Sequence, residues 1–281
     1  MKIEKFKDAT GSKCVRIEFD DILEYAEYAD EVPEDNESRT SSNNAWAGGT
    51  FQDGIDQAKT GNPELVKQFF DGANILAAMI EEEKIGEIRD VTGEYFDVAD
   101  YLSGEPEVFR RDEYGDRKPV VPVYANFTAS CSVKTEHIIN RGCAIVALCD
   151  ELSKAGFIVD LHVVEASKWR GTKYYTKINI ANDPLDLDTM AFTIANPLCL
   201  RRLWFAVLEH LTDRSECGSY GSPEEYDLQE IFDTGLSGFY FTSNRHKAYS
   251  KEHYDTLEHA KDHIFDMIQK FKESAEQVIL G

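Results

Sequence analysis

The chain has 281 residues and a formal net charge of −22, with 52 Asp and Glu against 30 Lys and Arg. This length allows one large domain or two small ones, and the acidity argues against nonspecific binding of nucleic acid or of an anionic membrane, because phosphates would be repelled. No signal peptide precedes Lys2 and no apolar run approaches the length of a membrane span, about 20 residues, so the sequence predicts a soluble cytoplasmic protein.

The acidic excess is uneven along the chain. Residues 1–119 carry 29 Asp and Glu against 14 Lys and Arg, whereas residues 120–281 carry 23 against 16. We therefore expect an acidic, mainly helical N-terminal region over 1–119 that packs on the core, and an α/β domain over 120–281. Six cysteines occur without a CxxC pair, which indicates reduced core thiols such as Cys143 and Cys149.

The N-terminal region begins with short elements and a polar segment. Lys13 to Phe19 predicts a strand, Ile22 to Tyr28 a helix, and the acidic stretch Glu31 to Asn44 a mobile loop. A helix follows with Thr50 as its N-cap and ends near Gly61.

The second half of this region changes character. Pro63 opens a helix that continues to about Lys84, and Val91 to Phe96 predicts a strand. The stretch from Gly104 to Pro119 has a loop-like composition, in which Arg110 and Arg111 would form ion pairs with neighbouring acids.

Residues Val120 to Glu165 predict a strand, a helix and a second strand. A β-branched and aromatic run starts at Val120, apolar residues recur at helical spacing from Thr135 to Leu152, and Gly156 ends the helix before an apolar run resumes at Phe157. Such a unit forms a right-handed parallel crossover. The expected fold class is α/β, with a doubly wound, mostly parallel sheet.

Five further elements follow in chain order. Lys173 to Ile180 predicts an edge or antiparallel strand, Thr189 to Ala195 another strand, and Leu198 to Leu211 an apolar helix. Gly238 to Thr242 predicts the last strand, and Glu252 to Ile279 a long amphipathic helix.

Polar residues follow the first strand of the crossover: Asn126, Thr128, Ser130 and Ser132. Ligands of open parallel sheets bind beyond the carboxyl ends of the strands, so this group could hold a cation or accept a partner's carboxylate. Its alternative role is to cap the helix that follows.

An acidic loop between later elements contains Asp183, Asp186 and Asp188. These carboxylates could complete a site with the strand-end residues. The alternative is a solvated turn with Asp residues at helix starts.

Two other groups resemble chemical sites. His137, Cys143 and Asp150 include the residue types of nucleophilic catalysis, but Cys143 lies on an apolar helix face where a thiol is inert. The C-terminal histidines could bind a metal, although the local string is HAKDH rather than HEXXH, which favours a solvated helix face. They are His246, His253, His259 and His263. No phosphate-binding glycine motif is present.

The order of elements from residue 120 resembles the von Willebrand factor A domain, a doubly wound fold whose first strand ends in D-x-S-x-S. The matching positions here are Asn126-x-Thr128-x-Ser130. The resemblance implies a divalent-cation site formed by these residues with Asp188. Because Asn replaces the first Asp and Mg²⁺ favours anionic oxygens, the expected cofactor is none or a weakly bound Mg²⁺.

A second resemblance is carried by WAGGTF…GNPE and NRGxAIxALxxxLxxAG. These segments are similar to an uncharacterised protein family of tailed bacteriophages. The resemblance implies a phage origin and carries no activity.

Three functional hypotheses follow. The first is a phage-encoded, non-enzymatic interaction module that binds a host or phage protein in the host-cell cytoplasm, with Ser132, Asp183 and Asp186 at the partner surface and homo-oligomerisation left open. The second is an acidic mimic of nucleic acid that inhibits a host protein. The third is a metal-dependent hydrolase that uses Asp183 and Asp188 with histidines.

Overall fold

The computed structural model describes residues 1–67, 86–90, 95–96, 102, 109–113, 120–154, 157–180, 186–213, 222–223, 239–244 and 247–267. Ten strands occur in these residues. In chain order they are β1 (Lys2–Lys7), β2 (Lys13–Phe19), β3 (Gly86–Asp90), β4 (Tyr95–Phe96), β5 (Phe109–Glu113), β6 (Val120–Asn126), β7 (Ile158–Trp169), β8 (Thr172–Asn179), β9 (Ser222–Pro223) and β10 (Phe239–Phe241).

The main sheet has six strands along one path, in the order β1-β2-β8-β7-β6-β10, and β9 pairs with β7 off this path. Three of the five pairings along the path are parallel: β2 with β8, β7 with β6, and β6 with β10. The pairings of β1 with β2 and of β7 with β8 are antiparallel. The protein is therefore mixed α/β with a mostly parallel sheet, and strands from the N-terminal region extend that sheet beyond β8.

The predicted crossover is confirmed. Strand β6 is followed by helix α5 (Thr135–Lys154) and then by β7. The two strands pair in parallel, from Val120 opposite Ile158 to Asn126 opposite Val164. This pairing brings the carboxyl ends of both strands to the same end of the sheet.

Two clusters of buried side chains lie on the two faces of the sheet, and the larger one contains the helices' side chains. Among the described residues, every helix that contributes to this larger cluster packs on the same face of the sheet. Period-two alternation explains the division: Leu161 and Val163 of β7 face this core, whereas Val164 and Ala166 face a smaller cluster on the opposite side. The remaining helical segments are α1 (Ile22–Asp30), α2 (Glu37–Thr40), α3 (Asn44–Ala47), α4 (Phe51–Thr60), α6 (Leu187–Ala195), a π-helix (Cys199–Trp204), α7 (Phe205–Thr212) and α8 (Lys247–Tyr254).

Helices α5 and α6 approach each other closely at Gly142. A Cβ atom at this position would lie 2.2 Å from the Cα atom of Ala195 and 2.3 Å from the carbonyl oxygen of Ile194. Glycine is therefore required by the helix–helix contact and not by backbone conformation. This contact fixes where α5 lies over the sheet.

The predicted strand at Thr189–Ala195 was wrong, because this segment belongs to helix α6. Asp186 is its N-cap and accepts hydrogen bonds from the backbone N–H and the hydroxyl of Thr189, at 3.1 and 2.6 Å. Residues Met190 to Ala195 are buried on all sides, so the apolar run lacks the periodicity that would distinguish helix from strand.

The prediction of a loop over 104–119 was also wrong, because it contains β5, which pairs with β3 and β4. Strand β5 has the charged sequence FRRDE, which does not alternate in the manner of a half-buried strand. The first strand, β1 (KIEKFK), was missed for a similar reason, since lysines are common on strands at a sheet edge.

The segment Glu31 to Asn44 contains helix α2 and is held by tertiary hydrogen bonds, in contrast to the predicted mobile loop. The predicted helix over Glu252–Ile279 is interrupted at Asp255 and Thr256, and a second helical segment covers 257–267. Residues 268–281 lie outside the described residues. The same is true of residues 68–85, so the predicted helix from Pro63 to about Lys84 is described only over residues 63–67. In the described chain no single helix has the length and hydropathy of a membrane span, although Leu187–Ala195 and Cys199–Thr212, a pair bent by 60°, meet both criteria together.

Candidate functional site

The carboxyl ends of β6 and β10 form the candidate site. From β6 the chain passes through α5 to β7 on one side, whereas β10 pairs with β6 on the other side. The strand order therefore reverses at β6, and in α/β sheets such a switch point is where ligands bind. We call the residues 126–132 after β6 and 242–244 after β10 the carboxyl edge.

Backbone hydrogen bonds join the two segments of the carboxyl edge. The N–H of Asn244 donates to the carbonyl of Thr128 at 2.8 Å, and the N–H of Ser130 donates to the carbonyl of Asn244 at 3.1 Å. Ala129 and Asn244 form an isolated parallel bridge. These contacts bring Asn244 beside the residues that the sequence predicted as a site.

Two buried amides at this edge have unused hydrogen-bonding groups. Asn126 is fully buried, and its Oδ1 accepts from the N–H of Thr128 at 3.1 Å. This bond fixes the orientation of the amide, so its Nδ2 group is the one that lacks a partner among the described residues. Asn244 is 1% exposed, and neither its Oδ1 nor its Nδ2 has a partner in the part of the chain that the structure describes. Such groups are rare in folded proteins and call for a physical explanation.

The predicted hydroxyls have different environments. The buried Oγ1 of Thr128 accepts from the N–H of Ala166 at 2.7 Å, so this hydroxyl secures the edge to β7. The hydroxyls of Ser130 and Ser132 are 3.1 Å apart, and Ser132 is exposed. Of these three hydroxyl side chains, that of Thr128 is buried, that of Ser130 is half-buried and that of Ser132 is exposed.

Arg141 lies at the same edge and was missed by the sequence reasoning. Its side chain is 3% exposed and its Nη2 donates to the carbonyl of Thr242 at 2.7 Å. Within the described ranges its Nε has no hydrogen-bond partner. The signal was present in the sequence, because Arg141 occupies the apolar stripe of α5 between Ile138 and Ile145.

The acidic loop has its recorded contacts elsewhere. Asp186 caps α6, and the carbonyl of Asp188 accepts from the N–H of Asn62 at 3.0 Å. None of the hydrogen bonds recorded for Asp186 or Asp188 reaches the carboxyl edge. Asp183 lies outside the described residues.

The residues at the carboxyl edge do not fit a divalent cation. Asn126, Thr128, Ser130 and Asn244 supply neutral oxygens only, whereas Mg²⁺ is bound through carboxylates. The guanidinium of Arg141 adds a positive charge that would repel a cation.

The candidate catalytic groups are inert in the described structure. Burial raises the pKa of Cys143 to about 12, so its thiol is not a nucleophile at neutral pH. His137 is buried and shares a 2.9 Å hydrogen bond with Ser250, and desolvation lowers its pKa. No hydrogen bond recorded for His137 involves Cys143.

The C-terminal histidines pack with aromatic rings. His253 and His263 stack with ring centroids 4.2 Å apart, the hydroxyl of Tyr249 is 3.2 Å from Nε2 of His263, and His259 pairs with Asp255 at 2.6 Å. Among the described residues no group of three His, Cys, Asp or Glu side chains has the arrangement of a metal site. His246 lies outside the described residues. The hydrolase hypothesis therefore has no support in this part of the chain.

A second surface feature is an acidic groove of about 380 Å³ beside the end of α1. Glu31, Asp35 and Asp213 line it together with His210. The imidazole of His210 stacks on Tyr28, with centroids 4.2 Å apart and an angle of 4° between the rings.

The fold and the carboxyl edge define a mixed α/β protein with a polar, partly unsatisfied site at a topological switch point. The chain belongs to the family described as Domain of unknown function (DUF7192), whose sequence profile matches residues 4–275. No curated protein and no solved structure shows significant similarity to it.

Proposed function

We propose that this chain is a non-enzymatic interaction module with a von Willebrand A-like strand order, which binds a protein partner at its carboxyl edge. The order β8-β7-β6-β10 supports the comparison, because doubly wound sheets place the second and third strands on one side of the first and the fourth strand on the other. Asn126, Thr128 and Ser130 occupy the positions of the strand-end motif.

One observation carries the proposal: Asn126, Asn244 and Arg141 each have a buried polar atom for which the described residues supply no partner. Each such group costs about 1–3 kcal/mol when it stays unpaired, more for a charged group. A protein with a purely structural edge would gain stability by losing them, so a bound partner that supplies the missing hydrogen bonds explains their presence.

The partner is a protein in this proposal, and the net charge of −22 makes direct binding of nucleic acid unfavourable. The phage origin is part of the same proposal. It is supported by the similarity of the WAGGTF segment and of the α5 sequence to tailed-phage proteins, and it places the partner in the infected host cell.

Affinity capture from infected cells tests the proposal with two matched variants. Ser132→Arg changes an exposed residue of the carboxyl edge, and Glu27→Arg changes an exposed residue of α1. We expect a partner that is captured by the wild type and by Glu27→Arg and is lost with Ser132→Arg. Equal capture by all three proteins would contradict the assignment to the carboxyl edge. A differently tagged second copy in the same experiment reports self-association.

A second candidate is the acidic mimic of nucleic acid, and one observation favours it. Residues 20–37 contain nine Asp and Glu and no Lys or Arg, and they include two residues that line the acidic groove, Glu31 and Asp35. Eight of the nine are exposed, Glu24 being partly buried. If the chain is such a mimic, Glu27→Arg should reduce capture of the partner and Ser132→Arg should leave it unchanged. Capture should also weaken steeply as the salt concentration rises from about 50 to about 200 mM, because the Debye length falls over this range from roughly 14 to roughly 7 Å and phosphate-like contacts are screened.

A further inference from the structure

We propose that the core contains a binding site for one water molecule between Glu165 of β7 and Thr176 of β8, beneath helix α1. Oε1 of Glu165 and Oγ1 of Thr176 are buried oxygens that have no hydrogen-bond partner among the described residues. The site concerns the core of the fold and does not depend on the proposed function.

The strand register brings these two side chains together. Glu165 and Thr176 are directly opposite each other in the antiparallel pair of β7 and β8. Opposite residues in such a pair point to the same face of the sheet, with Cβ atoms about 4.5–5.5 Å apart. The next pair on this face is Val163 with Ile178, and both belong to the larger core. Glu165 and Thr176 therefore form a polar pair on the helix-covered face of the sheet.

The two oxygens face each other without bonding directly. Glu165 and Thr176 are both 0% exposed, so bulk solvent does not satisfy either group. Buried polar atoms that stay unpaired are costly, and a water molecule bridges groups that are too far apart for a direct hydrogen bond. Internal waters of globular proteins occur at such groups and make about three hydrogen bonds each.

Tyr25 of α1 supplies the third contact of this site. Its hydroxyl donates to Oε2 of Glu165 at 3.1 Å and lies 3.5 Å from the carbonyl oxygen of Cys199. The Tyr25 oxygen keeps a lone pair that can accept a hydrogen bond. Burial raises the pKa of Glu165, so the carboxyl is neutral and its hydrogen lies on Oε1, the oxygen that Tyr25 does not use. A water here accepts from Oε1 of Glu165 and donates to the oxygens of Thr176 and Tyr25.

This set of groups suits a water better than a metal ion. It offers one carboxyl group, and the remaining oxygens are neutral, whereas Ca²⁺ takes six to eight oxygen ligands. Among the described residues no group of three His, Cys, Asp or Glu side chains has the arrangement of a metal site. Three hydrogen-bonding groups match the usual number for an internal water.

Crystal structures of the full chain test the proposal, with Thr176→Val as the variant that removes the hydroxyl and keeps the branched shape. In the wild type we expect an ordered water about 2.5–3.0 Å from Oε1 of Glu165 and from Oγ1 of Thr176. This water should be lost in Thr176→Val and retained in Thr176→Ser, which keeps the hydroxyl. Ser167→Ala is the matched control, because it removes a buried hydroxyl of the same strand that lies opposite Tyr174, and it should leave the water in place.

Urea denaturation provides a second readout on the same variants. With a water in the site, Thr176→Val should lower the urea midpoint, because the water and Glu165 lose a partner. If the Thr176 hydroxyl is simply unpaired, the same change should raise the midpoint, since a buried polar group without a partner is removed.

Three outcomes would overturn the proposal. The first is a wild-type crystal structure without an ordered peak between the two oxygens, or a raised urea midpoint in Thr176→Val. The second is a water that persists in Thr176→Val, which would place it on other groups. The third is a peak with six or more oxygen neighbours at about 2.3–2.6 Å, which would identify a cation.

Discussion

Two buried polar regions of this chain use their arginines differently. In the π-helix, Arg202 donates to the carbonyls of Ser38, Ser41 and Gly49 and to the side chain of Asn44, at 2.7 to 3.2 Å. At the carboxyl edge, Arg141 donates to the carbonyl of Thr242 and contacts Tyr254, and the described residues supply no partner for its Nε.

The neighbouring Arg201 follows the pattern of Arg202. It donates to the carbonyls of Trp46 and Val133 and to the hydroxyl of Thr135, and it lies 4.2 Å from the Trp46 ring centroid. Burial lowers its pKa to about 10, which leaves it charged at pH 7. The π-helical arginines therefore anchor residues 38–50 to the core, whereas the edge holds hydrogen-bonding capacity that the fold does not use.

The largest expected effect separates the two arginines directly. Arg202→Met removes a buried side chain and leaves its four acceptors, of which Ser38 lies in the core, without their donor, and we expect it to lower the free energy of unfolding by about 3–5 kcal/mol. Arg141→Met removes a buried charge that has no counterion among the described residues, and it should leave stability unchanged or higher. Urea denaturation of the two variants checks this, and equal losses would show that both arginines are structural.

Two buried serines provide a smaller version of the same comparison. The hydroxyl of Ser38 donates to Glu209 at 2.6 Å, whereas the buried hydroxyl of Ser167 has no partner among the residues that the structure describes. We expect Ser38→Ala to cost about 1–3 kcal/mol, because a buried carboxylate loses a donor. Ser167→Ala should be neutral or stabilising. Urea midpoints at constant m-value report both, and a costly Ser167→Ala would reveal an unrecognised bond.

Glu165 extends the comparison to pH. It is fully buried, Tyr25 donates to its Oε2 at 3.1 Å, and its Oε1 has no partner in the described part of the chain. Burial raises the pKa of Glu165 well above its usual value of 4.5, although the hydrogen bond from Tyr25 acts in the opposite direction. The folded protein therefore holds a proton that the unfolded chain releases near pH 4.5.

This contribution to stability is complete below the unfolded pKa and declines as pH rises toward the folded pKa, by about 1.4 kcal/mol per pH unit. We expect Glu165→Gln, which stays neutral, to lack this decline and to become more stable than the wild type as pH increases. Unfolding free energies measured from pH 4 upward, at steps of about one unit, check the sign. A constant difference between the two proteins would contradict the protonated state.

The smallest expected effect concerns the cap of α4, next to the segment that Arg202 holds. Thr50 Oγ1 accepts from the N–H of Asp53 at 3.1 Å, and Asp53 accepts from the N–H of Thr50 at 2.8 Å. We expect Thr50→Ala to cost about 1 kcal/mol. Thr60→Ala, at the exposed end of the same helix, should change stability by less than about 0.5 kcal/mol in the same denaturation assay.

Local features of the sequence determined a good part of the fold. The crossover from Val120 to Glu165, the Thr50 cap and the strand at Phe239–Phe241 were predicted because alternation, helical spacing and capping act over a few residues. The strand-end position of Asn126, Thr128 and Ser130 followed from the same pattern.

Only the tertiary structure decided which of these residues share an environment. Strand β2 pairs with β8, Asn244 contacts Thr128, and Arg141 donates to Thr242. Each of these contacts joins positions far apart in the chain. A sequence shows that Arg141 lies on an apolar helix face, but burial and hydrogen-bond partners depend on what packs against that face. The physical difference between an arginine that holds the fold and one left with an unused donor therefore arises only on folding.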